Sequence, residues 1–192
     1  MKDISFLYKV LNQAQLDAME EVFVKREQTL ESFKLMRKKY AGIKNRIKAI
    51  EKKLLVIMEQ EKDDAWVSHW IMREVASIEN KYKDIELGIK RYNQTMNFFN
   101  DTINSRQFWG FKPEEVVTHF QHSPVNQLKS YLGSADSHIG QALNAMRITE
   151  RYFKNISSFF KSHADMLALK KQRAERERLN EMKAQISKTE NK

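Results

Sequence analysis

Apolar residues recur along most of the chain at alternating steps of three and four. The cleanest series has no polar residue at any of its positions. It comprises Ile71, Val75, Ile78, Tyr82, Ile85, Ile89, Tyr92, Met96, Phe99 and Ile103. An average step of 3.5 residues keeps these side chains on one line of an α-helix, and such a line has to be buried against another helix. The pattern therefore predicts an all-α protein built from long, coiled-coil-like helices.

Three long helices are predicted, over about 3–61, 65–104 and 135–169. Asp63 and Asp64 are typical N-cap residues and mark the start of the second helix. Because the link between the first two helices is so short, they must fold back on each other as a hairpin. The predicted fold is an elongated antiparallel three-helix bundle or coiled coil.

The apolar stripe of the first helix is irregular near its start. Consecutive steps of four connect Ala14, Ala18, Val22 and Arg26. Consecutive steps of four, in place of alternating steps of three and four, amount to an insertion in the repeat. They predict a stutter, so that the N-terminal part of the helix faces a different neighbour. Arg26 is the one charged residue of the stripe and is interpreted as a bend or an opening in the packing.

The segment 105–133 departs from the long-helix pattern. It holds both prolines of the chain, and each proline predicts a helix start. Gly133 predicts a helix end. We expect two short helices, about 113–121 and 124–132, which form a small cap between the second and third long helices.

Positive charge is concentrated in the segment 34–53. The chain has a net charge of +9, and this segment contains a single acidic residue, Glu51. Its basic residues are candidate contacts for a polyanion or for a protein partner: Lys34, Arg37, Lys38, Lys39, Lys44, Arg46, Lys48, Lys52 and Lys53. Phosphate backbones attract such a surface. These residues also flank both sides of the apolar stripe, as they would on a solvated coiled-coil surface, so both interpretations stay open.

The last segment, 170–192, is separated from the bundle, 1–169, by its composition. Basic residues outnumber acidic ones in it, and only a faint apolar stripe remains. It is predicted to be a helical extension or a tail that becomes ordered on a partner. The candidate binding residues of this tail are Lys170, Lys171, Arg173, Arg176, Arg178, Leu179, Met182 and Ile186.

Motifs for chemistry are sparse in this sequence. The chain has no cysteine, which excludes disulfides and thiolate metal sites. Glu115, His119 and His122 have a spacing that suits three metal ligands on one helix face, but a solvated amphipathic turn is the favoured interpretation. His163 lies on the third apolar stripe and is predicted to be a core histidine. No catalytic residue, metal or cofactor is predicted, and the protein is not expected to be an enzyme.

No stretch approaches the roughly 18 apolar residues of a membrane span. The N-terminus lacks the apolar core of a signal peptide. A cytoplasmic location is expected, and secretion without a cleaved signal stays open. The large aromatic residues outside the stripes are expected to be mostly buried near the hairpin turn or the cap. They are Trp66, Trp70, Phe98, Trp109 and Phe111.

The sequence favours a non-enzymatic adaptor or assembly factor that acts through protein–protein contacts. Two alternatives are nucleic-acid binding by the segment 34–53 and peripheral binding of that segment to an anionic membrane. The third predicted stripe is also shorter than the first, which leaves homo-oligomerisation through an uncovered part of the first helix open.

Overall fold

The described part of the protein is helical except for one turn. The computed structural model describes residues 13–104 and 124–190. Helix α1 is Gln13–Gln60, α2 is Ala65–Asn104 and α3 is Pro124–Glu190. No strand occurs in these two ranges, so the all-α prediction is confirmed for them. The predicted start of the first helix, 3–12, lies outside the described residues.

A tight turn joins α1 to α2, and an aspartate caps the second helix. The backbone amide of Asp64 donates a hydrogen bond to the carbonyl oxygen of Glu61 at 2.9 Å. The Asp64 carboxylate accepts hydrogen bonds from the amides of Trp66 and Val67 at 3.0 and 3.1 Å. These bonds satisfy amides that the first turn of a helix leaves unpaired. The predicted N-cap is therefore confirmed, as are the bounds of α2.

The inner face of α1 is a regular stripe of steps of three and four. Met19 is 3% exposed, whereas Ala18 is only half-buried and Ala14 is exposed. The predicted stutter is wrong, because the larger side chain of Met19 occupies the stripe and restores its phase. The full inner face is Met19, Val22, Arg26, Thr29, Phe33, Met36, Tyr40, Ile43, Ile47, Ile50, Leu54 and Ile57.

Arg26 keeps its place on this stripe without interrupting α1. Its guanidinium carbon lies 6.0 Å from the centre of the Phe99 ring, and Nη1 pairs with Glu27 at 2.8 Å. The side chain is 19% exposed. A long stem that covers an aromatic ring while its charged head reaches a carboxylate can occupy such a position. The expected opening of the packing is thus filled by Arg26 itself.

Helix α3 begins at Pro124 and continues through Gly133, so the predicted helix end at Gly133 and the start near 135 are wrong. Gly133 is exposed and does not adopt a left-handed conformation. The series Val125, Leu128, Leu132 was expected in the cap, but it is in phase with the third stripe. One helical glycine costs about 1 kcal/mol relative to alanine, which is less than the burial of three in-phase apolar side chains contributes.

The third stripe is consequently as long as the first. It runs through Val125, Leu128, Leu132, Ala135, Ile139, Ala142, Met146, Thr149, Phe153, Ile156, Phe160, His163 and Leu167. His163 is 5% exposed, which confirms it as a core residue. The rest of the predicted cap, 105–123, lies outside the described residues.

The chain divides into two compact units, Met1–Thr149 and Glu150–Lys192, and the division falls within α3. In the first unit α2 and α3 approach closely at Gly88. A Cβ atom added to Gly88 would lie 3.0 Å from the Cβ of Ala142 and 3.2 Å from the carbonyl oxygen of His138. Only glycine fits at this crossing without a shift of one helix.

Two of the aromatic residues that were expected to be buried are exposed. Trp66 is 70% exposed and Phe98 is 58% exposed. Both lie one position before a buried residue, Val67 or Phe99, and therefore point away from the stripe. Trp70 is half-buried. Trp109 and Phe111 lie outside the described residues.

Candidate interaction surfaces

The basic segment 34–53 forms one part of α1, but its side chains point in several directions. Eight of the nine candidates are exposed, and Lys44 is half-buried. Arg37 and Lys44 flank the inner stripe on the side of α2. Lys39, Arg46 and Lys53 follow the other flank and are engaged in interactions. The remaining four lysines lie on the face that points away from the stripe, although one of them, Lys48, also reaches the edge of a groove between α1 and α2: Lys34, Lys38, Lys48 and Lys52.

The flank toward α2 is organised around Tyr40. Its hydroxyl lies 2.9 Å from the Tyr82 hydroxyl and 3.0 Å from Oε1 of Glu86. The Lys44 ammonium lies 5.9 and 5.8 Å from the ring centres of Tyr40 and Tyr82. The Arg37 guanidinium lies 5.9 Å from the Tyr40 ring. Two of the predicted polyanion contacts are therefore already placed over aromatic rings of the same chain.

The protonation behaviour of this cluster fits a structural role. Burial raises the pKa of Tyr40, and the hydrogen bonds to Tyr82 and Glu86 raise it further. Hydrogen bonds from Tyr82 and Tyr40, together with the charge of Lys44, lower the pKa of Glu86. Tyr40 thus keeps its proton while the Glu86 carboxylate stays ionised. The cluster joins α1 to α2 through a hydrogen-bond network and supplies no activated acid or base near neutral pH.

A groove of about 300 Å³ continues from this cluster along α1 and α2. Its charged lining consists of three lysines and three glutamates: Lys44, Lys48, Lys83, Glu51, Glu79 and Glu86. Burial and the charge of Glu79 raise the pKa of Glu51. Because α2 places carboxylates opposite the lysines of α1, a phosphate backbone would meet both signs of charge here. This groove does not form the uniformly basic track that polyanion binding favours.

Polar side chains also join α1 to the first part of α3. Lys25 pairs with Asp136 at 2.5 Å, and the Thr29 hydroxyl donates a hydrogen bond to the same carboxylate at 2.8 Å. Thr29 is 1% exposed. Lys129 pairs with Glu21 at 2.7 Å. A polar layer of this kind costs stability but fixes the register of a bundle.

Next to this layer, Phe33 stacks on Tyr92 with ring centres 3.6 Å apart and planes 12° from parallel. The Tyr92 hydroxyl is buried and has no hydrogen-bond partner among the described residues. Burial raises the pKa of Tyr92 to about 12. This hydroxyl loses its hydration without gaining a bond, which costs free energy.

The outer face of α1 carries a charge pattern that segment counting missed. We number the heptads of α1 so that inner-stripe residues such as Phe33 and Met36 are at the first and fourth positions. The outer face is then defined as the second, third and sixth positions of each heptad. Its charged residues in the N-terminal half are all acidic: Asp17, Glu20, Glu21, Glu27 and Glu31. From Lys34 to Val56 they are all lysines, namely Lys34, Lys38, Lys48 and Lys52. Counting charge by helix position, rather than by segment, would have revealed this division.

The C-terminal part of α3 is the second exposed surface. Every side chain from Ala168 to Lys183 is exposed, including the predicted basic candidates of the tail. Leu169, Leu179 and Met182 are 56%, 51% and 58% exposed. The helix continues to Glu190, although the side chain of the candidate Ile186 lies outside the described part.

The described ranges contain no group of three or more histidine, aspartate or glutamate side chains that could hold a metal ion. The candidate ligands Glu115, His119 and His122 lie outside these ranges. No described helix has both the length and the apolar character needed to cross a membrane.

The fold thus defines an all-α protein whose exposed features are surfaces on long helices. Comparison with protein-family models, with curated proteins and with solved structures finds no match to the chain. The arguments for function therefore rest on the geometry and charge of these surfaces.

Proposed function

We propose that the protein is a non-enzymatic adaptor or assembly factor that binds a protein partner through the C-terminal part of α3. The observation that carries this proposal is the exposure of Leu179 and Met182 on a regular helix. Exposed apolar side chains at a spacing of three or four residues are the anchors of helix-in-groove recognition. The surrounding lysines and arginines favour a groove with an acidic rim.

We also infer that α1 and α2 run in opposite directions. Two contacts support this: Arg26 contacts Phe99, and Tyr40 contacts Tyr82. Residues farther along α1 thus contact residues that come earlier in α2. Between α1 and α3 the residue numbers of the contacting pairs increase together instead, from Glu21 with Lys129 to Thr29 with Asp136. An up–down–up order of the helices accounts for both trends.

Photo-crosslinking from single positions in the full-length protein, expressed in its own cells, tests the adaptor function. A photoreactive residue at Leu179 should give a discrete adduct with one partner protein. The matched control is Glu177, which is exposed and lies on the opposite side of the helix. Equal adducts from both positions, or none from Leu179, would contradict the proposal.

Deletion of 170–192 is the complementary test. The shortened protein should no longer give the partner crosslink from a photoreactive residue at Leu169. Less of the same partner should also co-purify with it. The midpoint of thermal unfolding should stay nearly unchanged, because the described side chains that are removed are exposed. Retention of the partner by the shortened protein would assign its binding to another surface.

A further inference from the structure

Ion pairs such as Glu21–Lys129 and Glu31–Lys34 reach the outer face of α1 within the described part of the chain, and they do not account for the division of its charge into two halves. Every outer-face side chain from Asp17 to Val56 is exposed. Charged residues in this range are acidic up to Glu31 and basic from Lys34 to Lys52, and the acidic Glu59 follows at the end of the helix. A surface that only had to remain solvated would not need its two signs sorted into two halves. The sorted halves are, however, what a helix needs in order to pair with an inverted copy of itself.

We propose that the outer face of α1 binds the same face of a second copy of this chain, antiparallel, with the two-fold axis between Lys34 and Leu35. An isologous contact of this kind pairs each residue with its mirror position about the axis. Glu31 then lies opposite Lys38 of the second copy, and Asp17 lies opposite Lys52 of the second copy. Symmetry makes each of these ion pairs twice.

The uncharged positions of the face fit the same register. Leu35 is 69% exposed and, next to the axis, would lie over the aliphatic stem of Lys34 of the second copy. Glu27 would lie over Gly42 of the second copy, and Glu20 over Ala49. A Cβ atom on Gly42 would meet nothing within 4 Å, so this position leaves room for a second helix. The paired stretch from Asp17 to Lys52 would extend for about 50 Å at 1.5 Å per residue.

Other occupants fit this face less well. A nucleic acid or an anionic membrane would be attracted by the lysine half and repelled by the acidic half. Binding of a helix in a membrane interface also requires a broad apolar face, whereas here the large apolar residues Val24, Leu35, Leu55 and Val56 are spread over most of the helix. The pairs Glu31–Lys34 and Glu21–Lys129 within the chain are exposed, and exchanging them for intermolecular pairs costs little.

This inference does not depend on the adaptor function, since it uses α1 and leaves the C-terminal part of α3 untouched. Failure of the tail experiments would not affect it, and a monomeric protein could still bind a partner through Leu179.

Charge-reversed variants of the full chain test the inference by sedimentation velocity at low and at high salt. One variant carries Lys38→Glu and Lys52→Glu, and the other carries Asp17→Lys and Glu31→Lys. We expect the wild type to dimerise at low salt and to dissociate as salt is raised. Each variant alone places like charges opposite each other, so its dimer dissociation constant should rise roughly 10- to 100-fold.

An equimolar mixture of the two variants is the decisive sample. Every ion pair of the mixed dimer again joins opposite charges, so association should return to near the wild-type level. A control with Lys90→Glu and Arg91→Glu on α2 makes the same change of net charge away from this face and should associate like the wild type. A wild type that stays monomeric at low salt, or a mixture that does not recover association, would overturn the proposal. Far-ultraviolet circular dichroism confirms that each variant remains helical.

Discussion

The inner and outer faces of α1 are made by the same helix under different constraints. The inner stripe from Met19 to Ile57 is mostly apolar along its whole length, because the chain itself covers it and each apolar side chain that is buried contributes stability. The outer face is exposed and carries only scattered apolar residues such as Leu35 and Leu55, and its charge changes sign between Glu31 and Lys34. The inner face therefore reports on the fold, and the outer face carries the charge pattern on which the proposed pairing is based.

The largest effect should come from neighbouring leucines on these two faces. Leu54 is fully buried and Leu55 is 51% exposed. Leu54→Ala should lower the free energy of unfolding by about 2–5 kcal/mol, because it leaves a cavity on the inner stripe. Leu55→Ala should change it by less than about 0.5 kcal/mol. Urea unfolding of both variants measures the difference, and similar values would remove the distinction between the faces.

Substitution of two glycines, one in a packed position and one in an open position, gives a similar comparison. Gly88→Ala should destabilise the protein by about 1–3 kcal/mol, because the added Cβ atom lies 3.0 Å from that of Ala142 and the helices must shift. Gly140→Ala is the matched control, since its Cβ atom would meet nothing within 4 Å. It should stabilise the protein by up to about 1 kcal/mol through helix propensity. Stabilisation by both changes would show that α2 and α3 are not in close contact at Gly88.

The two tyrosines of the inner stripe should respond differently to loss of the hydroxyl. Tyr40→Phe removes hydrogen bonds to Tyr82 and Glu86 and should destabilise the protein by about 1 kcal/mol. Tyr92→Phe removes a buried hydroxyl without a described partner and should be neutral or stabilising. Thermal unfolding of the two variants at neutral pH distinguishes them, and equal losses would contradict the assigned contacts.

Alkaline titration gives a second measure of the same pair. The pKa of Tyr92 in the folded protein is about 12, and that of Tyr40 is raised as well, whereas an unfolded tyrosine titrates near 10. Their contribution to stability is therefore complete below about pH 10 and is lost as the pH rises through the folded values. The loss should be less steep in Tyr92→Phe. Unfolding midpoints across this range provide the measurement.

The smallest effect concerns continuity of α3. Gly133 is exposed inside the helix, so Gly133→Ala should stabilise the protein by up to about 1 kcal/mol. A glycine that ended a helix in the left-handed conformation would give the opposite sign, because alanine is strained there. Urea unfolding decides between the two, and destabilisation would restore the helix end that the sequence suggests.

Sequence periodicity predicts the helical class, the bounds of α2 and most of the buried stripe residues, because a period of 3.5 follows directly from helix geometry. It fails where a local signal competes with the stripe. Gly133 and Pro124 suggested a separate short helix, yet Val125, Leu128 and Leu132 were already in phase with Ile139. Ala18 was assigned to the stripe instead of Met19, because both positions are compatible with a step of three or four residues to Val22. Glycine and proline were given too much weight as helix-ending residues, relative to the burial of apolar side chains that are in phase with the stripe.

The candidate surfaces were harder to obtain from the sequence. The basic segment was recognised, but its division among three directions depends on the position of each lysine relative to the stripe. Contacts such as Lys44 over Tyr82 or Glu86 with Tyr40 join residues that are far apart in the chain, and no local pattern specifies them. The acidic half of the outer face was visible in the sequence and became meaningful only once the inner face had been located.

The most direct test of the two-faced helix is cysteine crosslinking, since the natural chain contains no cysteine. Leu35→Cys places a single thiol next to the proposed two-fold axis, and Gly42→Cys places one two helical turns away. We expect a covalent dimer of the first variant under mild oxidation or with a short bismaleimide, and almost none of the second. Equal crosslinking of the two variants, or none at Cys-substituted Leu35, would contradict the proposed pairing of the outer faces.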